Sequence, residues 1–456
     1  MDRAAWLQLL TRSLGAIEEW ESRWPDVPLR PPSEADSRAL QRLTERLTDG
    51  NYPFFHPQYA GQMIKPPHPV AWTAYATAMA MNPNNHALDG GPPTAHLERE
   101  AVAQIAEMFG FDEHLGHLSA SGTIANLEAL WVARELLGPH SIAVSQSAHY
   151  THARMAQVLG LEIAPVAALP TGEMDMMALR AVLAAGQVKT IVATMGTTGI
   201  GAIDPLADIV QLAAEFGCRV HADAAYGGFF KLLADRTPAL APKRHFDALA
   251  AVDSIVVDPH KHGLQPYGCG CVVYADPSVG RVYKHESPYT YFTSAELHLG
   301  EITLECSRAG ASAAALWTTL QALPLEPHAG LGDSLAAGRR AALAWAELIR
   351  SEPGLALLVE PQTDILCFAP MLAGTPKATA ISAATEAVFR AGMVEGDDAF
   401  FLAKFRVSRS QAEALWPHVV WDAEEVVVLR STLMKPEHEA LVPRLHELVV
   451  AATIAL

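Results

Sequence analysis

Between residues 70 and 280 the chain keeps switching its hydrophobic period. Stretches with apolar residues at helical spacing (70–81, 95–109, 123–137, 151–159, 176–185, 205–216) alternate with short β-like runs (141–145, 161–166, 189–194, 218–223, 254–258, 270–274). Such alternation constrains the fold to a mostly parallel sheet covered by helices, because each crossover helix must pack back onto the sheet. Ligands in sheets of this kind bind beyond the carboxyl ends of the strands. His149, the segment Thr194 to Thr198, Asp223 and Lys261 all follow predicted strand ends. Separate segments therefore deliver polar side chains to one edge.

With 456 residues, 50% of them apolar and 18% charged, the chain can bury a large core and carry a second domain. The rhythm changes after residue 324. A long Ala-rich helix (309–322) closes a large domain over 70–324. Strands at 364–369 and 425–430 and a terminal helix at 436–452 then predict a smaller α+β domain over 325–456. Residues 1–69 read as helices broken by Pro25, Pro28, Pro31 and Pro32, followed by an aromatic, Pro-rich stretch from Asn51 to Tyr59. That arm has too little apolar surface to fold alone and is expected to pack on a second subunit.

A net charge of −17 argues against nucleic acid or an anionic membrane as partner. No apolar stretch approaches the roughly 18 residues a spanning helix needs. The start of the chain lacks the basic and apolar segments of a signal peptide. Five cysteines in no framework pattern point to a reduced, cytoplasmic protein. Cys269 and Cys271 read as small side chains of a buried strand, and His149 and His152 lack a third partner at ligand spacing, so no metal is expected.

Lys261 ends the run Asp253-Ser-Ile-Val-Val-Asp-Pro-His-Lys261. It lies thirty-eight positions (261 − 223) after Asp223 in His221-Ala-Asp-Ala-Ala-Tyr226. A lysine made less basic by burial or by neighbouring positive charge can form an imine. A carboxylate at a second strand end can keep a pyridine nitrogen protonated. Together they are the two groups that pyridoxal phosphate (PLP) requires of a protein. Each has an ordinary alternative, a strand-end lysine reaching for solvent and an aspartate capping a helix. A phosphate needs donors at a helix start, and Ser119-Ala-Ser-Gly122-Thr123 precedes one such helix.

These pieces in this order resemble the group II PLP-dependent amino-acid decarboxylases of the aspartate-aminotransferase fold (fold type I). The resemblance covers about residues 51–325, with a weaker echo at Leu429-Arg-Ser-Thr-Leu-Met-Lys-Pro436. Its carriers are His-Ala-Asp-Ala-Ala-Tyr-Gly-Gly and Asp-Pro-His-Lys. The run Asp258-Pro-His-Lys-His-Gly-Leu-Gln-Pro-Tyr-Gly268 is similar to bacterial tyrosine decarboxylases, which are typically longer. Ile124 departs from the polar residue many relatives carry there.

The resemblance implies an α/β large domain with a mostly parallel seven-stranded sheet. It also implies roles: Lys261 as the imine-forming lysine, Asp223 on the pyridinium nitrogen, Ala225 against one ring face and His149 stacked on the other. Gly122 and Thr123 hold the phosphate, helped by His260, and Thr198 lies near the ring hydroxyl or the substrate carboxylate. Ser307, in Glu305-Cys-Ser-Arg-Ala-Gly310, completes the phosphate site of a neighbouring subunit. A tyrosine of a loop over 281–296 protonates the product carbon. Tyr289 and Tyr291 are favoured over Tyr283.

The implied protein is an obligate cytoplasmic homodimer with active sites at its interface. It converts an L-amino acid to the amine and carbon dioxide. Phe55, His56 and Tyr59 are expected to line the substrate pocket and favour an aromatic side chain such as that of tyrosine. His56, Gln62 and Lys65 would instead suit an acidic one. A PLP-dependent carbon–carbon lyase releasing an aldehyde is a second class, and a PLP-binding regulator without turnover a third.

Overall fold

The alternating region forms seven strands: β1 (Leu115–Ser119), β2 (Ser141–Ser145), β3 (Glu162–Val166), β4 (Val188–Thr194), β5 (Arg219–Asp223), β6 (Ser254–Val257) and β7 (Gly270–Tyr274). They come from a computed structural model that describes residues 2–24, 30–284, 297–371, 374 and 376–456. The strands lie in the order β1-β7-β6-β5-β4-β2-β3. Only β7 runs against its neighbours, β1 and β6. The other pairs are parallel. Strands β2, β6 and β7 are buried along their whole length, as helices on both faces require.

The longer helices to this point are α1 (Arg3–Glu21), α2 (Glu34–Thr48), α3 (Pro69–Met81), α4 (Pro92–Phe109), α5 (Gly122–Leu137), α6 (Thr151–Leu159), α7 (Met176–Ala184) and α8 (Leu206–Phe216). The core beneath them gathers Ile105 and Phe109 of α4, Ile191 of β4, Ile255 of β6 and Phe229 and Phe230 after β5. Sequence periodicity places α3 to α8 to within three residues at either end, and misses β1. Its sequence Leu-Gly-His-Leu-Ser has no apolar run, and the His117 imidazole is buried beside Glu128, Nε2 to Oε2 3.0 Å.

Strands β8 (Leu325–Glu326) and β9 (Ala329–Gly330) form a short hairpin. Beyond it β10 (Leu355–Leu357), β11 (Ile365–Pro370), β12 (Ala403–Ser408) and β13 (Glu425–Thr432) form a separate antiparallel sheet in the order β10-β11-β13-β12. Strand β12 falls where the sequence reads as irregular. Its charged residues Lys404 and Arg406 alternate outward along a sheet edge, so it lacks the run of a buried strand. The helix Leu331–Ser351 joins the two units. Leu331 and Leu335 pack in the large core, and Trp345 and Ile349 in the small one.

Helices α1 and α2 bury no residue, and Leu7, Leu14, Trp20, Leu40, Leu43 and Leu47 face solvent. Among the described residues no helix is long and apolar enough to cross a membrane.

Candidate active site

One cleft at the carboxyl edge of the sheet is lined by Gly122, Thr123, Asn126, His149, Thr151, Thr194, Gly196, Thr198, Asp223, Ala225, Tyr226, Asp258 and Lys261. The strands explain the convergence. Asp223 is the last residue of β5, Thr194 the last of β4, and Asp258 directly follows β6. Parallel pairing puts those ends level, with Thr194 opposite Asp223 and Asp223 opposite Val256.

Asp223 is buried, and its Oδ2 accepts a hydrogen bond from His152 Nε2 at 2.8 Å while Oδ1 accepts one from Ala225 N at 3.2 Å. Burial alone would raise its pKa. The hydrogen bond and charge of His152, then His221 and Lys261, override that and hold the carboxyl well below the usual carboxylate range. His152 sits on the first turn of α6, three residues after His149. That spacing, which resembles a metal pair in the sequence, serves to orient Asp223. His221 Nε2 lies 2.8 Å from Asn126 Oδ1, and Asn126 Nδ2 donates to Gly122 O at 2.7 Å. The start of α5 is thus tied to β5. Burial pushes His221 down to about 3, so it stays neutral in this bridge.

The Lys261 ammonium lies 3.0 Å from Asp258 Oδ2, and Lys261 N donates to Asp258 O at 2.9 Å in the turn after β6. His260 Nε2 stands 3.5 Å from the same carboxylate oxygen, and its Nδ1 lies 2.7 Å from Cys269 O. The His149 ring faces this group from the loop after β2. Burial lowers its pKa, Asp223 opposes the shift, and Lys261 and His152 add to it.

Several expected residues stand elsewhere in the single chain. Thr198 lines the cleft, and its carbonyl accepts from Arg430 at 2.7 Å. Ser307 is exposed, accepts a hydrogen bond from Asn84 Nδ2 at 3.2 Å, and borders a different cleft with Tyr75, Tyr267 and Arg308. Tyr59 is buried against Phe54 and Phe401, His56 lines a groove with Tyr52 and Phe401, and Phe55 is 68% exposed. Lys65 is half-buried and donates to Met434 O at 3.0 Å. Tyr283 is buried with its hydroxyl 2.8 Å from that of Tyr274. Tyr289 and Tyr291 lie outside the described residues. Motif reading placed Gly196 within the candidate segment Thr194 to Thr198 but did not single out Asn126, Thr151, Tyr226 or Asp258 as lining residues. Asp258 and Tyr226 stood inside the two motifs, which was the available signal.

The cleft's chemistry fits PLP. Three of its polar atoms, Thr151 Oγ1, Thr194 Oγ1 and Asp258 Oδ1, are buried with no protein partner. A Cβ at Gly122 would lie 2.6 Å from Asp258 Oδ1, so a side chain there would close the cleft at the helix start. A lysine, an ionised aspartate, a histidine and a helix N-terminus around one cleft define a PLP enzyme of fold type I.

The chain belongs to the group II pyridoxal-dependent decarboxylases, and it is a PLP-dependent amino-acid decarboxylase. The family model described as the pyridoxal-dependent decarboxylase conserved domain matches residues 127–370. A probable L-tyrosine/L-aspartate decarboxylase of Methanothermobacter thermautotrophicus is 31% identical, covering 68% of this chain and 82% of that one. The L-tyrosine decarboxylase of Enterococcus faecium is 28% identical, covering 68% and 67%. Among solved structures, mouse CSAD superposes with a TM-score of 0.76 at 20% identity, covering 98% of this chain and 99% of that one. Oryza sativa TDC, solved with PLP and tryptamine, gives 0.76 at 18% identity, covering 100% and 98%. At such identities these two structures bear on the fold alone.

Proposed function

We propose that the substrate is an L-amino acid with an aromatic side chain, tyrosine foremost, and that the products are its amine and carbon dioxide. Phe55 carries this reading. It is a large ring, 68% exposed, edge-on to His56 at 6.4 Å, and it directly follows Phe54 of the aromatic cluster formed with Tyr52, Tyr59 and Phe401. Relatives named for tyrosine support it, and relatives named for aspartate keep an acidic substrate as the second reading. Lys65, a cation suited to an acidic side chain, is committed to Met434 O near Asp364.

PLP, when bound, supplies an aldehyde for a lysine amine and a ring that draws electrons from the substrate's α-carbon. Lys261 would supply the amine that holds this aldehyde. Asp223, steadied by His152 at 2.8 Å, would keep the ring nitrogen protonated. His149 and Ala225 would pack against the ring. The first turn of α5, at Gly122 and Thr123, would hold the phosphate with the help of His260, and Thr198 would lie near the ring hydroxyl or the substrate carboxylate. Tyr289 or Tyr291 delivers a proton to the α-carbon after carbon dioxide leaves.

A panel of L-amino acids read for carbon dioxide and amine tests this. Turnover of tyrosine or another aromatic is expected. Turnover of aspartate or glutamate alone sinks the aromatic reading, and an aldehyde without carbon dioxide points to a lyase. On the active substrate, the Tyr→Phe variant at 289 or 291 that releases carbon dioxide but loses amine identifies the proton donor.

We also infer that two chains form the working unit, with Ser307 of one completing the phosphate site of the other. The uncovered apolar residues of α1 and α2, exposed Phe55 and the displaced position of Ser307 support this. Light scattering of the PLP-loaded protein is expected to give twice the 49.0 kDa chain mass. A fully active monomer would overturn the inference.

A further inference from the structure

Behind the cleft lies a buried carboxylate that the mechanism does not use. Asp364 immediately precedes β11 in the small domain, and its side chain is 2% exposed. Tyr226 Oη donates to its Oδ1 at 2.5 Å. His262 Nε2 lies 3.5 Å from its Oδ2 and has no hydrogen-bond partner. Tyr226 is three residues after Asp223, and His262 is one after Lys261. The His262 ring packs edge-on to Tyr226 at 4.7 Å and to Phe230 at 5.2 Å. The charges of Lys65, from the N-terminal arm, and Arg339, from the helix Leu331–Ser351, also reach Asp364.

We infer that Asp364 is a positioning residue: the small domain uses this one carboxylate to fix the two loops that carry Asp223 and Lys261. A buried carboxylate costs desolvation that an apolar side chain of similar size avoids, so space-filling does not account for it. Its Oδ1 accepts from Tyr226 of one loop, and its Oδ2 lies 3.5 Å from His262 of the other, a contact short of a hydrogen bond. The backbone already joins the loops once, where Asp258 N donates to Ala225 O at 3.2 Å. The close packing of Gly227, whose Cβ would lie 2.0 Å from Met195 O, leaves Tyr226 little room to shift. A loop displaced by losing Asp364 would move Asp223 or Lys261 relative to the other.

The test reads PLP retention, so it does not depend on which amino acid is the substrate. Apoprotein is titrated with PLP, the visible band of the lysine-bound cofactor is followed across pH, and thermal unfolding of the apoprotein is recorded. Asp364→Asn keeps the size and one acceptor but removes the charge. Tyr226→Phe removes one hydroxyl. Each is expected to weaken PLP binding by about tenfold and to move the pH midpoint of the visible band, with apoprotein unfolding little changed. Wild-type PLP affinity and an unmoved midpoint in both variants overturn the proposal. So does a fall in unfolding temperature with no change in the band, since that is a purely structural role. If Asp364→Asn does not fold, Tyr226→Phe decides alone.

Discussion

Lys261→Ala is expected to cut carbon dioxide release by about a thousandfold or more, because among the described residues no other amine lines the cleft. The same change separates Asp258 from its ion partner at 3.0 Å. Asp258 is 3% exposed, so some loss of stability accompanies the loss of activity, on the order of 1–3 kcal/mol. Lys261→Arg distinguishes the two effects. It keeps a positive charge for Asp258 but cannot form an imine, so it should unfold near the wild-type temperature and remain inactive. Borohydride reduction of the PLP-loaded proteins, followed by mass analysis, should find the cofactor fixed on Lys261 in the wild type and on no residue of either variant. Normal turnover by Lys261→Ala would remove the basis of the mechanism.

The site was legible where the chemistry-bearing residue ends an apolar strand. Asp223 and Lys261 each close such a run, and parallel pairing then places them on one edge whatever the rest of the chain does. Residues whose role is set by a distant partner were not legible. His152 acts on Asp223 from 71 positions away, and Asp364 meets Tyr226 across 138. No local pattern encodes either distance. Strand β1 hides for a related reason, since its buried His117 finds its partner in Glu128 on a later helix rather than in anything in its own sequence. Phe55 and Ser307 show another limit. Sequence similarity assigns them to an active site without saying whose, and in one chain neither lines the cleft that holds Lys261.

Asp223→Asn is expected to lower kcat by about 10²- to 10³-fold while leaving the cleft's shape intact. A carboxylate beside a cationic nitrogen shifts that nitrogen's pKa by roughly 1–3 units, and each unit is worth about tenfold. An amide has almost the same outline, yet it cannot hold the ring proton by charge. It would also turn an NH2 group toward either His152 or the Ala225 N–H, both of which now point at oxygens. The sign of the pH effect follows from the depressed carboxyl. The wild-type group is ionised at every pH above about 4, so it should contribute no acid limb to the rate between pH 5 and 8. Its contribution to stability is present above the unfolded pKa and is lost as pH falls through the folded one. The variant should therefore be less stable than wild type at neutral pH, and the difference should shrink in acid. Rate, PLP spectrum and unfolding temperature, each followed against pH, check all three expectations. An Asp223→Asn protein with wild-type kcat and spectrum would show that the ring nitrogen needs no ionised partner here, and the assignment of the cleft's polar end would have to move.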